Sequence, residues 1–284
     1  MDGPRTESEV AQVLDLLDQG SIEVVGRVVD ASNLAVLVDV VAAEGSLPQR
    51  VTRRAIYKPV RGERPLWDFP EGTLAGREVA SWVLSRALGY GVVPPTVLRE
   101  GPYGVGSVQL WIGDPFAPTQ TGASDVVRVV PAGRTPPGWV AVVDGEGPGG
   151  RAVTVVHEDA ADLRGAAVLD AVLNNSDRKG SHLVRDGAGV LWGFDHGLTL
   201  HEEPKLRTVL WGWAGQPLRE QDLTKLAGLE QDLADAASAL RTSLDALLPG
   251  GDVRALAARV GRLRRERIHP RPGRGWPALP WPPL

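Results

Sequence analysis

With 284 residues, 43% of them hydrophobic and 23% charged, the chain can bury a substantial core, and its composition excludes a wholly disordered or fibrous protein. A formal net charge of −4 gives no global pull toward nucleic acid or anionic lipid, and the absence of cysteine excludes disulfides, thiolate metal sites and a cysteine nucleophile. No apolar run approaches the roughly 18 residues needed to cross a bilayer, and MDGPRTESEV lacks a signal peptide's basic start and apolar core, so a cytoplasmic protein is expected.

Val10, Val13, Leu14 and Leu17 at helical spacing predict an amphipathic helix from Ser8 to Asp18. Ile22 to Val29 and Leu34 to Val41 are rich in β-branched residues and read as strands joined at Asp30-Ala31-Ser32-Asn33, a run of turn formers. Arg54 to Pro59 reads as a third strand carrying Lys58 near its end. Thr73 to Leu88 reads as a helix with Thr73 as N-cap, Gly89 as stop signal and an apolar stripe of Ala75, Val79, Trp82 and Val83. Glu78 falls at the edge of that stripe, where a carboxylate needs a partner.

Val93 to Arg99 and Gly106 to Ile112 predict a second hairpin through Gly101-Pro102-Tyr103-Gly104. From Gly113 to Gly150 glycine and proline obscure any period, apart from short apolar runs at Val126 to Val130 and Trp139 to Val143. An alanine-rich helix over Asp159 to Leu173 precedes the most informative segment, LNNSDRKGSHLVRDGAGVLWGFDHG, Leu173 to Gly197. Helices are predicted at Glu220 to Leu248 and Val253 to Arg267, broken at Pro249-Gly250-Gly251. The end, HPRPGRGWPALPWPPL, reads as a Pro-rich tail that need not join the core.

The informative segment sets Asp177, His182 and Asp195 around a predicted hairpin. Gathered ionised side chains are costly unless a cation or protons compensate them, so a bound metal is expected, held by oxygen or imidazole. Phosphoryl transfer needs aligned phosphates, divalent ions and a group that orients the attacking hydroxyl, and the chain offers a residue for each role.

Asp177-Arg178-Lys179 with His182, followed by Gly193-Phe194-Asp195-His196-Gly197, resembles the D-R-H-x-x-N and D-F-G elements of phosphatidylinositol 3- and 4-kinases, at separations of five and eighteen residues from the first aspartate. It is similar in type to HipA-like and other atypical kinases, and more so to actinobacterial phosphatidylinositol-kinase-like proteins, over most of Gly20 to Trp213. The resemblance implies an α+β, two-lobed, protein-kinase-like fold with a β-rich lobe over 1–112, a mainly helical catalytic lobe over 113–269 and the tail over 270–284.

It further implies ATP with Mg²⁺ or Mn²⁺, and transfer of the γ-phosphate to a hydroxyl of a lipid, an inositol-like small molecule or a protein. Asp177 would orient the hydroxyl and take its proton, with Arg178 and Lys179 in the same catalytic element; Asp195 and His182 would hold the metal. Lys58 would reach the α- and β-phosphates with Glu78 as its ion-pair partner, Ser32 and Asn33 would cover the phosphates, and Gln109 and Trp111 would lie where adenine is contacted. No nucleic-acid partner is expected, and peripheral membrane contact stays open.

Three positions depart from the pattern. Lys179 replaces the histidine of D-R-H, His182 replaces the metal-binding asparagine, and His196 replaces the phenylalanine of D-F-G. These departures admit a second class of reading, a nucleotide-binding pseudokinase acting as a regulatory module. A hydrolytic metal site is a third reading, which leaves Lys58 and Glu78 unused. Asn174-Asn175-Ser176 matches a glycosylation sequon, for which turn formation is the simpler account. Trp211 and Trp213 fit core positions at least as well as substrate contacts, His157, His201 and His269 read as structural, and the basic run from Arg262 to Arg267 reads as a solvated helix face.

Overall fold

The computed structural model describes residues 2–4, 6–28, 33–42, 51–113, 126–273 and 277–284. Its architecture is α+β, with a β-rich N-terminal part and a mainly helical C-terminal part. Helix α1 (Glu7–Gln19) opens the chain, fixed by a capping box in which Thr6 and Glu9 satisfy each other's backbone amides. Five antiparallel strands follow: β1 (Ser21–Arg27), β2 (Val36–Val41), β3 (Thr52–Pro59), β4 (Thr96–Gly101) and β5 (Gly104–Leu110), in the order β1-β2-β3-β5-β4. The predicted turn residues Asp30 to Ser32 lie outside the described residues.

Strand alternation decides which way Lys58 points. Ala55 and Tyr57 on β3 join Val36, Val38, Val108 and Leu17 in a core between the sheet and α1, so Ile56 and Lys58 face the opposite side. On that side lies α2 (Leu74–Ala87). The predicted one-sided stripe underestimates this helix, which is buried on most of its circumference because it sits between the sheet and the C-terminal helices. Thr73 occupies the N-cap position, but its hydroxyl donates to the Pro70 carbonyl; the Glu63 carboxylate instead accepts from the Leu74 and Ala75 amides, at 3.3 and 2.9 Å.

Helix α2 is also bolted to the C-terminal part. Arg77 is fully buried, with Nη2 2.6 Å from Asp252 and Nη1 donating to the Thr199 carbonyl at 2.7 Å. At Gly76 a Cβ would stand 2.6 Å from the Leu247 carbonyl oxygen, so only glycine permits this approach.

The apolar runs at Val126 to Val130 and Trp139 to Val143 fall in two strands of a second sheet, whose third strand follows the stretch with no legible period. Strands β6 (Val127–Pro131), β7 (Trp139–Gly147) and β8 (Arg151–Glu158) pair antiparallel in the order β6-β8-β7. Helix α3 (Ala161–Leu173) and the short hairpin β9 (Leu183–Arg185) and β10 (Leu191–Gly193) follow. The long predicted helix from Glu220 to Leu248 is two, α4 (Glu220–Ala234) and α5 (Ala239–Leu247), because Asp235 and the N-cap Ser238 bond the backbone locally between them. Pro249 is the N-cap of α6 (Gly250–Glu266). No described helix is long and apolar enough to cross a membrane.

The tail is part of the packed structure rather than a free end. Leu279 and Leu284 lie against the main core, the Ala278 carbonyl accepts from the Thr208 amide and the Trp211 indole, and the Pro283 carbonyl accepts from the Gly180 amide at 2.8 Å. Trp213 and most of Trp211 are buried, and Arg264 and Arg267 in the basic run pair with Glu230 and Glu220 on α4.

Buried histidines make the fold acid-sensitive. His157 accepts from the Gly212 amide through Nε2 and donates through Nδ1 to the Glu158 carbonyl, an arrangement that requires a neutral ring, and burial pushes its pKa down. Burial, aided by the Arg164 guanidinium, pushes His269 down to about 4. A folded-state pKa below the unfolded value of 6.5 gives stability that is complete above pH 6.5 and lost as pH falls toward 4, on the order of 3 kcal/mol from His269 alone. Melting temperature measured from pH 7.5 to pH 4 should therefore fall below pH 6.5, and His269→Asn should flatten the slope.

Candidate active site

Lys58, on the α2-facing side of β3, stands 2.5 Å from Oε1 of Glu78 and 2.8 Å from Oδ1 of Asp195. Burial alone would lower its pKa, but the two carboxylates outweigh this and raise it, favouring the charged ammonium. Glu78 is buried and uses its second oxygen to accept the His196 amide at 2.9 Å. One helix residue thereby ties the strand lysine to the backbone beside Asp195.

Asp195 follows β10 and has φ +60, a conformation rarely adopted outside glycine. The Lys58 charge, acting against partial burial, holds its carboxyl well below the usual range. Its other oxygen lies 3.6 Å from Nε2 of His182, a separation that suits two adjacent ligands of one cation. Burial pushes His182 down to about 4, leaving a neutral imidazole able to coordinate. Among the described residues no group of three or more metal-ligating side chains gathers, so a cation held by this pair would draw its remaining ligands from phosphate or water.

The loop after α3 carries Asp177. Asn174 ends the helix in the left-handed region with its buried side chain amide donating to the His201 and Glu203 carbonyls, a tight turn in which the sequon has no exposed asparagine to offer at that position. Asn175 Oδ1 accepts the Asp177 amide at 3.0 Å. The Asp177 carboxylate is flanked by Lys179 at 3.1 Å and Arg207 at 3.7 Å; burial raises its pKa, an effect that Lys179 partly offsets.

Arg178 points away from this cleft. It is buried, with its guanidinium committed to Asp170, the Phe194 carbonyl and His196, so it cannot touch a reactant and the catalytic role expected for it becomes a supporting one. Asn33 Oδ1 accepts the Arg64 amide at 2.9 Å, tying the first turn to the loop after β3. Ser32 lies outside the described residues. Gln109 shares the Lys58 face of the sheet but donates to the Thr96 hydroxyl at 2.8 Å, so its amide is occupied within the sheet. Trp111 follows β5 with its indole N–H buried and without a hydrogen-bond partner among the described residues.

Two contributors escape sequence reasoning. Asp170 is a buried carboxylate in the apolar run AAVLDAVL, and a charge at a core-facing helix position is the available signal for it. Arg207 reaches Asp177 because the 205–209 segment runs beside the Asp177 loop, bonded through Asn175 and Arg178, and no spacing in the sequence announces this.

No protein-family model matches the chain. Protein Rv2133c of Mycobacterium tuberculosis (strain ATCC 25618 / H37Rv) is 41% identical over 270 residues, which cover 94% of this chain and 94% of the relative. The chain belongs to the Rv2133c family. Two crystal structures of the Golgi casein kinase share the fold. One, with Mn/ADP bound, aligns at a TM-score of 0.54 and 12% identity over 93% of this chain and 77% of the kinase chain. The other aligns at 0.53 and 13% over 92% and 76%. The Rv2133c-family chain therefore has a kinase-like α+β fold.

Proposed function

We propose that this Rv2133c-family protein is an ATP- and divalent-metal-dependent phosphotransferase that moves the γ-phosphate to a hydroxyl of a lipid, an inositol-like small molecule or a protein, working between a lobe over 1–112 and a lobe over 113–269. The observation that carries the reading is Lys58 Nζ, bonded at once to Glu78 and Asp195 with His182 on the far oxygen of Asp195. A lysine so held is a fixed point charge for nucleotide phosphates. The D-R-K-x-x-H and G-F-D-x-G motifs support a phosphatidylinositol-kinase-like ancestry.

Asp195 and His182 would hold Mg²⁺ or Mn²⁺, which supplies charge neutralisation for the phosphates. Asp177 accepts the proton of the acceptor hydroxyl as its oxygen bonds to the γ-phosphorus and the β–γ bridging bond breaks, releasing ADP. The raised pKa of Asp177 makes it a better base than an exposed carboxylate. Lys179 and Arg207 orient the Asp177 carboxylate and offset charge on the transferred group.

Calorimetry with ATP or ADP and Mg²⁺ or Mn²⁺, paired with phosphate transfer across lipid, inositol and protein acceptors, tests this reading. Metal-dependent binding with turnover is the expected result, whereas binding without transfer to any acceptor returns the pseudokinase reading. No binding of either nucleotide overturns both.

A further inference from the structure

We propose that Asp170, Arg178 and His196 form a positioning relay that holds the Asp195 carboxylate toward Lys58 and His182. The proposal rests on the reading of Asp195 as the group that meets metal and phosphate.

Asp195 sits at φ +60, in the left-handed region, a conformation that is costly for a non-glycine residue and persists where its surroundings over-determine it. At Asp195 the surroundings are polar on both flanks. Before it, the Phe194 amide donates to the His182 carbonyl at 3.0 Å, and the Phe194 carbonyl accepts Nη1 of Arg178 at 3.1 Å. After it, the His196 amide donates to Glu78, and Nε2 of His196 receives Nη2 of Arg178 at 2.6 Å. One guanidinium thus grips the residues on either side of Asp195.

The guanidinium is itself immobile. Its Nε lies 3.2 Å from both oxygens of Asp170 and Nη2 lies 3.1 Å from one, with both side chains about 1% exposed. Asp170 also accepts from the Asn175 amide group and the Thr208 hydroxyl, each at 3.0 Å. The anchor is therefore shared by α3, the Asp177 loop and the 205–209 segment.

The ring state of His196 follows from its partner. A guanidinium has no acceptor, so Nε2 must accept and the ring proton sits on Nδ1. That Nδ1 is buried without a hydrogen-bond partner among the described residues. An orphaned buried donor is a cost that an apolar ring would avoid, and it marks the Arg178 contact as the reason for a histidine here.

The test is ADP affinity by calorimetry, with Mn²⁺ and separately in EDTA, for wild type, H196F, H196N, H196Q, D195A and the D195A/H196F pair. H196F and H196N, which lack or retract the acceptor, should weaken Mn²⁺-dependent ADP binding about tenfold and leave binding in EDTA within about twofold. H196Q, whose amide oxygen can meet Arg178, should recover most of the loss. On the D195A background H196F should have no further effect, because a relay that acts through Asp195 has nothing left to position.

Unchanged Mn²⁺-dependent affinity in H196N, equal losses with and without metal, or a full additional loss on D195A would each overturn the relay while leaving the phosphotransferase reading intact. H196N serves in place of H196F if the phenylalanine variant does not fold. A wild-type protein that binds no ADP in any condition overturns the relay together with the reading beneath it.

Discussion

Asp177→Asn should lower phosphate transfer by about two to four orders of magnitude while leaving ADP affinity within a few-fold. The substitution keeps the shape of a side chain that is held between Lys179 and Arg207 and fixed at its backbone by Asn175, but it removes the only oxygen in that position able to take a proton. Among the described hydrogen bonds the Asp177 carboxylate bonds none of Lys58, Glu78 or Asp195 directly, so nucleotide binding should survive. The pH profile supplies a second readout. Burial raises the Asp177 pKa above its ordinary 3.8, so wild-type transfer should climb with pH along an acid limb lying above that value, and the residual rate of the variant should lack the limb. Single-turnover transfer and calorimetry, run on the same preparations, measure both; equal turnover in the variant would remove Asp177 from the chemistry.

Arg77→Met should destabilise the fold by about 3–5 kcal/mol, read as a lower urea midpoint at unchanged slope. Methionine fills much of the arginine volume, so cavity formation is a minor part of the effect. What is lost is the charge facing Asp252, whose side chain is 6% exposed and bonded to Arg77 at 2.6 Å, together with the donor to the Thr199 carbonyl. A buried carboxylate stripped of its cation carries the full desolvation penalty, and burial already presses the Arg77 pKa down. Arg77→Met with Asp252→Leu should recover part of the loss, since removing both charges is far less costly than removing one.

Much of the N-terminal part is legible because its signals are local. Helical spacing and β-branched runs point to α1 and β1 to β3 before any tertiary contact is considered, whereas the Thr6–Glu9 capping box emerges only in the structure. Strand alternation puts Lys58 and Tyr57 on opposite faces, and a glutamate at the edge of the α2 stripe meets the lysine once the helix docks. The geometry also brings together His182 and Asp195, which the motif spacing singles out. What stays hidden depends on partners distant in sequence. Strands β6 to β8 lie among glycine and proline that mask period two, and β8 finds its place only between two neighbours. The break between α4 and α5 is masked by helical residues on both sides, although Asp235 and Ser238 are the kind of residues that cap. Arg178 looks like part of the chemistry by its motif, yet the buried Asp170 turns it inward. The proline-rich tail has a disordered composition, and the amides of Thr208 and Gly180, the Trp211 indole and the core facing Leu279 and Leu284 give it a path.

The close seating of Gly76 on Leu247, beside the Arg77–Asp252 pair, bears on how the molecule unfolds. Helix α2 carries Glu78, the partner of Lys58, so any tilt of it would part that ion pair. Here α2 is held at its Gly76 end: a tilt would part Gly76 from the Leu247 carbonyl it closely approaches and separate the buried Arg77–Asp252 pair. The sheet and the C-terminal helices should accordingly unfold as a single thermodynamic unit, read as one coincident transition by far-UV and fluorescence probes.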